Sequence, residues 1–177
     1  MNLPNKITIF RVLMIPFFVF FMLRTDIPYS NIIALAIFAV ASASDALDGH
    51  IARKRGLITN FGKFMDPIAD KLLVCSAFII FVQLGSVPGW IVILLIAREF
   101  IISGFRLVAS DNGIVIAAGW TGKIKTVLQM IMCLLLILHL EYNWYHVIEN
   151  IFVYLSLFFS LLSLFEYIYK NRQVLEK

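Results

Sequence analysis

Six stretches of this chain, near residues 8–24, 31–54, 62–84, 89–109, 121–140 and 147–169, are dominated by side chains that water does not hold. Each approaches the ~20 apolar residues that a helix needs to cross a bilayer. Backbone groups in lipid must satisfy one another, so the expected fold class is all-α integral membrane, with six transmembrane helices. Composition agrees, since 61% of the 177 residues are hydrophobic and only 15% charged. Soluble domains run at roughly half and a quarter. No repeat or linker interrupts the pattern, and one domain over residues 1–177 is expected. "GSVPG" (85–89) reads as a tight turn that makes spans three and four antiparallel neighbours. "EYNWYHVIEN" (141–150) reads as a loop with interfacial aromatic anchors.

Lysine and arginine are distributed unevenly. They cluster at Lys6 and Arg11, at Arg53, Lys54, Arg55 and Lys63, at Lys123 and Lys125, and at Lys170, Arg172 and Lys177. By the positive-inside rule these sites face the cytoplasm, so both termini and the even-numbered connections are expected there, in a multi-pass protein of the cell membrane. The net charge of +4 suits lipid head groups and anionic substrates, and no nucleic-acid partner is expected. Cys75 and Cys133 lie within apolar runs without metal-ligand spacing, so no disulfide is expected.

The expensive feature is "SDALDGHIARKRGLITNFGKFMDPIAD" (44–70), which puts Asp45, Asp48, Asp66 and Asp70 where spans two and three meet the membrane surface. On helices the first pair is separated by about 60° and the second by about 40°, so each pair occupies one helix face. The short connection between these spans lets the two faces meet. Four converging carboxylates repel and are poorly solvated, and bound divalent cations relieve that strain. An all-oxygen set favours Mg²⁺ or Mn²⁺ over zinc, giving a polar, metal-binding cavity at the cytoplasmic side. Gly49 permits close approach of a ligand, and Arg53, one turn on, suits a phosphate. Pro67 belongs in a first helical turn, which starts span three near Gly62.

DxxDGxxAR, eight residues, then GxxxDxxxD is the signature of the CDP-alcohol phosphatidyltransferase family. The chain matches it at Asp45, Asp48, Gly49, Ala52, Arg53, Gly62, Asp66 and Asp70. The resemblance implies that the four aspartates bind two divalent cations, with Asp70 also the general base. It implies that Asp48, Gly49 and Arg53 contact the CDP moiety, with Thr59, Asn5 and Thr8 as further CDP candidates. It also implies a homodimer.

All members release CMP, so the signature leaves the acceptor open. "IAREFIISGFR" sets Arg98 at mid-span and Arg106 two turns later, while "TGKIKT" supplies Lys123, Lys125 and Thr126. Arginine at depth is costly and should face a polar interior, where Arg98 either serves a ligand or pairs with a core carboxylate for structure. Arg106 and Lys125, with Arg98 and Thr126 behind them, are expected to form an anion pocket beside the metals, for a phosphorylated acceptor. Lys123 is either part of it or an ordinary interfacial anchor. Glu99 is ambiguous and could orient a nearby arginine or lysine. "NLPNKITIFR", "ARE" and "GKIKT" resemble the branch of the family whose substrates are CDP-diacylglycerol and sn-glycerol 3-phosphate. A member acting on inositol phosphate would share the core and need similar basic residues.

A rival from another class is a small divalent-cation transporter with the aspartates as its ion path. It would need polar residues through the outer halves of spans two and three, where "NIIALAIFAV" and "LLVCSAFIIFV" are almost wholly apolar. An enzyme at the lipid–water boundary is the better reading.

Overall fold

A computed structural model describes the backbone of residues 3–24, 26–55, 60–111 and 119–172, and the side chains of these except at 3–6, 45–55, 60–67, 70 and 111. Among the described residues the regular structure is helical: α1 (Leu3–Leu23), α2 (Ser30–Arg55), α3 (Asn60–Gln83), α4 (Gly89–Asp111), α5 (Trp120–Leu138) and α6 (Asn143–Lys170). These correspond one to one with the six apolar stretches.

Two boundaries depart from expectation. The region read as a loop over 141–150 is helical from Asn143 onward. The turn is held by packing, since the Tyr145 hydroxyl donates to the Leu135 carbonyl at 2.9 Å and Trp144 stacks on Tyr142. The third helix starts at Asn60, so Pro67 falls in its second turn rather than its first. A proline removes one backbone hydrogen bond, and the apolar continuation to Gln83 outweighs that loss.

The chain divides into two compact units, residues 1–84 with 136–139, and residues 85–135 with 140–177. In the first, α1 packs against both α2 and α3. Its buried stripe is Thr8, Arg11, Ile15, Phe18 and Met22, spaced alternately by three and four residues as one helix face requires. The small residues Ala34 and Ala41 flank Phe38 on α2 and let α1 approach, with the Phe18 and Phe38 rings 5.6 Å apart. Leu73, Ala77, Phe78 and Phe81 supply the buried side of α3.

In the second unit α4 packs against α6. The buried side of α4 is Ile91, Leu95, Arg98, Ile102, Phe105 and Ala109, again one face. That of α6 contains Val153, Ser156, Ser160, Ser163 and Tyr167. Phe105 meets Tyr167 edge to face at 5.6 Å.

By length and composition, α5 (19 residues) and α6 (28 residues) are apolar enough to cross a membrane. The other uninterrupted apolar helical runs within the described residues are shorter, at 7–23, 30–44 and 71–83. Many outward-facing side chains are apolar, with Ile93 67%, Leu107 73% and Phe165 69% exposed. A water-soluble monomer does not carry so much exposed apolar surface.

Candidate active site

In the first unit, the aspartate signature occupies the last turns of α2 and the first turns of α3, two helices that touch each other and share α1. Asp45 and Asp48 are thus on helix, as are Asp66 and Asp70, which upholds the backbone half of the paired-spacing expectation. The side chains of these four, and those of Asn5 and Arg53, lie outside the described residues, as do the surroundings of Gly49 and the whole of Thr59. Thr8 is within them and fully buried on α1.

Arg11, one turn beyond Thr8, is also fully buried. A six-residue turn (24–29) returns the chain from α1 to α2, so the pair runs antiparallel, registered by Phe18 against Phe38. Arg11 precedes Phe18 by seven residues and Asp45 follows Phe38 by seven, a rise of ~10 Å in each helix. Arg11 therefore stands level with the backbone of Asp45, and Thr8 with that of Asp48. Sequence reasoning treated Arg11 as a membrane-orienting charge. The signal that finds it is the stripe itself, since stepping back from Met22, Phe18 and Ile15 by four and three lands on Arg11 and Thr8.

In the second unit, the basic residues of α4 and α5 separate into two groups. Arg98 and Lys125 are brought together, at 8% and 4% exposed, by the carboxylate of Glu99. Arg98 Nη1 donates to Glu99 Oε1 at 3.0 Å, and Lys125 Nζ donates to the same oxygen. On the other edge of the guanidinium, Arg98 Nη2 donates to Ser163 Oγ on α6 at 2.8 Å. Arg98 Nε is buried and lacks a hydrogen-bond partner among the described residues. The formal charges of these three side chains sum to +1.

Arg106, Lys123 and Thr126 stand outside that cluster. Arg106 is exposed, with its guanidinium carbon 5.8 Å from the Tyr167 ring centroid. Lys123 is exposed over the Trp120 ring at 5.3 Å, the posture of an interfacial anchor. The Thr126 hydroxyl donates to the Gly122 carbonyl of its own helix at 2.9 Å. Glu99 thus orients both a nearby arginine and a lysine, as its place in the sequence allowed, while Ser163 is the residue at the centre that the sequence does not single out. Thr121 and Glu166, joined by a hydrogen bond between α5 and α6, were likewise not foreseen.

The family model of CDP-alcohol phosphatidyltransferases matches residues 1–162. The chain is 42% identical to the CDP-diacylglycerol–glycerol-3-phosphate 3-phosphatidyltransferase of Bacillus subtilis, across 99% of this chain and 97% of that one. It is 38% identical to the protein of the same name in Haemophilus influenzae, across 94% and 91%. A probable phosphatidylglycerophosphate synthase of Mycobacterium tuberculosis is 40% identical across 79% of this chain and 68% of its own length. A likeness of this extent, together with a complete signature on α2 and α3, makes the chain a member of the CDP-alcohol phosphatidyltransferase family.

Proposed function

We propose that the protein transfers the phosphatidyl group of CDP-diacylglycerol to sn-glycerol 3-phosphate, forming phosphatidylglycerophosphate and CMP. The observation that carries this reading is 42% identity, over nearly the whole of both chains, to a relative bearing that activity in its name. The unbroken signature supports the shared part of the reaction, and the buried +1 cluster supports an acceptor that brings its own phosphate.

In this reading residues 1–177 act as one multi-pass domain of the cell membrane, homodimeric, with both termini and the active site cytoplasmic. The donor set fits hard divalent ions, since all four groups are carboxylates, paired at i,i+3 and i,i+4 on two touching helices. Asp45, Asp48, Asp66 and Asp70 would hold two of them, Mg²⁺ or Mn²⁺. Bound there, the ions supply neutralising charge for the pyrophosphate. Gly49 and Arg53, with Asp48, bind the CDP moiety, and Thr59, Asn5 and Thr8 border it. Asp70 takes the proton from the acceptor hydroxyl, whose oxygen attacks the lipid-linked phosphorus as the bond to CMP breaks. Arg98 and Lys125 hold the acceptor's phosphate, and Arg106, outside their cluster, is a further candidate that would have to turn from the Tyr167 ring to reach it. Thr126 and Lys123 are the weaker candidates for this pocket.

The test is CMP release by purified protein with CDP-diacylglycerol, Mg²⁺ and a panel of alcohols. Glycerol 3-phosphate should support turnover while glycerol, serine and inositol phosphate do not. Equal rates with free glycerol would overturn the assignment.

A further inference from the structure

We infer that Glu99, assisted by Ser163, is the positioning residue of the acceptor-phosphate pocket. It is not merely the structural counter-ion of a buried arginine. The inference rests on the reading of Arg98 and Lys125 as phosphate ligands. Three observations carry it. One oxygen, Glu99 Oε1, receives both cations, which brings two groups that otherwise repel to a single point. Ser163 fixes the plane of the guanidinium: its own proton is committed to the Ser160 carbonyl at 2.9 Å, so an oxygen lone pair is left to face Arg98 Nη2. The guanidinium also keeps a donor to offer: Arg98 Nε is buried and has no hydrogen-bond partner among the described residues. A phosphate monoester brings negative charge and several acceptor oxygens, and meets cations that are already converged. Both basic side chains are long and rotamer-rich, so fixing them before the ligand arrives lowers the entropy lost on binding.

The experiment compares Glu99→Gln, Glu99→Asp, Ser163→Ala and Lys125→Ala in the full-length protein, in detergent or liposomes. It reads KM for glycerol 3-phosphate, KM for CDP-diacylglycerol, kcat and thermal unfolding. Glu99→Gln should raise the acceptor KM by about ten- to a hundredfold, and Ser163→Ala by roughly three- to tenfold. Glu99→Asp should recover part of the loss. The KM for CDP-diacylglycerol should stay within about twofold throughout, a split that general loss of structure would not produce. Folded Glu99→Gln and Ser163→Ala proteins with normal acceptor KM, beside a raised KM in Lys125→Ala, would overturn the positioning role and leave the pocket standing. A lowered acceptor KM in Glu99→Gln would overturn it too, by making the carboxylate a competitor of the phosphate. Should Glu99→Gln not fold, Ser163→Ala decides by the same split. Normal acceptor KM in Lys125→Ala would refute the pocket itself, and the inference with it.

Discussion

Removing a second charge from the Arg98–Glu99–Lys125 cluster should repair part of the damage done by removing the first. In Glu99→Gln the cluster goes from a net +1 to +2, and two cations that shared one oxygen remain buried at 8% and 4% exposure. Two nitrogens sharing one oxygen lie no more than about 5 Å apart, and their repulsion at an effective dielectric of about 20 is ~3 kcal/mol. That falls at the lower edge of the roughly 3–5 kcal/mol lost when one partner of a buried ion pair is removed. For a chain of this size it lowers Tm by about 6–12 °C. In Lys125→Met the cluster becomes neutral, since Arg98 and Glu99 still pair, and the loss should be about 1 kcal/mol. The double variant Glu99→Gln/Lys125→Met returns the cluster to +1, with Arg98 still on Ser163, and should recover most of the ~3 kcal/mol of repulsion. The assay is thermal unfolding in a mild detergent, run on all four proteins at one ionic strength. Counting broken ion pairs predicts a double variant no better than Glu99→Gln alone. That result would refute charge balance as the organising rule of the cluster.

Asp45→Asn, Asp48→Asn and Asp66→Asn should each abolish CMP release by weakening metal binding, whereas Asp70→Asn should lose turnover while still binding metal and CDP-diacylglycerol. Near-normal turnover of Asp70→Asn at saturating metal would remove its role as base. With Cys75 and Cys133 replaced, Ser86→Cys should react with an impermeant thiol reagent added to intact cells and Leu57→Cys should not, and the reverse pattern would invert the orientation. Arg106→Ala should raise the KM for glycerol 3-phosphate about tenfold or more, as loss of a charge-assisted contact of ~1.5–3 kcal/mol implies. A change confined to the KM for CDP-diacylglycerol would place Arg106 at the nucleotide instead.

What was legible in the chain follows from the range over which each signal acts. Helix positions are set by apolar length, a local property, and all six appear where that length predicts. The aspartate signature is also local, since both pairs lie within single helices. The start of α6 was missed because Tyr142, Trp144 and Tyr145 look like loop anchors in sequence, yet pack as the first turn of a helix. The burial of Arg11 is not legible from charge counting, which takes residues singly, while burial is decided by the whole stripe from Thr8 to Met22. For Glu99 the sequence offers the role, orienting a nearby arginine or lysine, but does not say which partners it takes. Its neighbour Arg98 is adjacent, but Lys125 is 26 residues away and Arg98's other partner, Ser163, is 65 residues from it. Residue types suggest that Arg98 and Lys125 share a pocket, but nothing in the intervening sequence announces the meeting with Ser163.

Those separations have a consequence for how the chain is made. In the proposed six-span arrangement, a polypeptide entering the membrane during synthesis would offer α4 to lipid with Arg98 at its middle, at a cost of about 2.5–3.5 kcal/mol on insertion scales. At roughly 5–20 residues per second, Lys125 follows Glu99 after ~1–5 s and Ser163 follows Arg98 after ~3–13 s. During that interval the guanidinium lacks its α6 acceptor, and the carboxylate lacks its ammonium. The fourth helix should therefore linger beside the insertion machinery until the fifth and sixth can leave with it, so that three helices partition into the bilayer as a group. A chain truncated after α5 would carry every residue of the catalytic signature and still leave Arg98 without the serine that secures it.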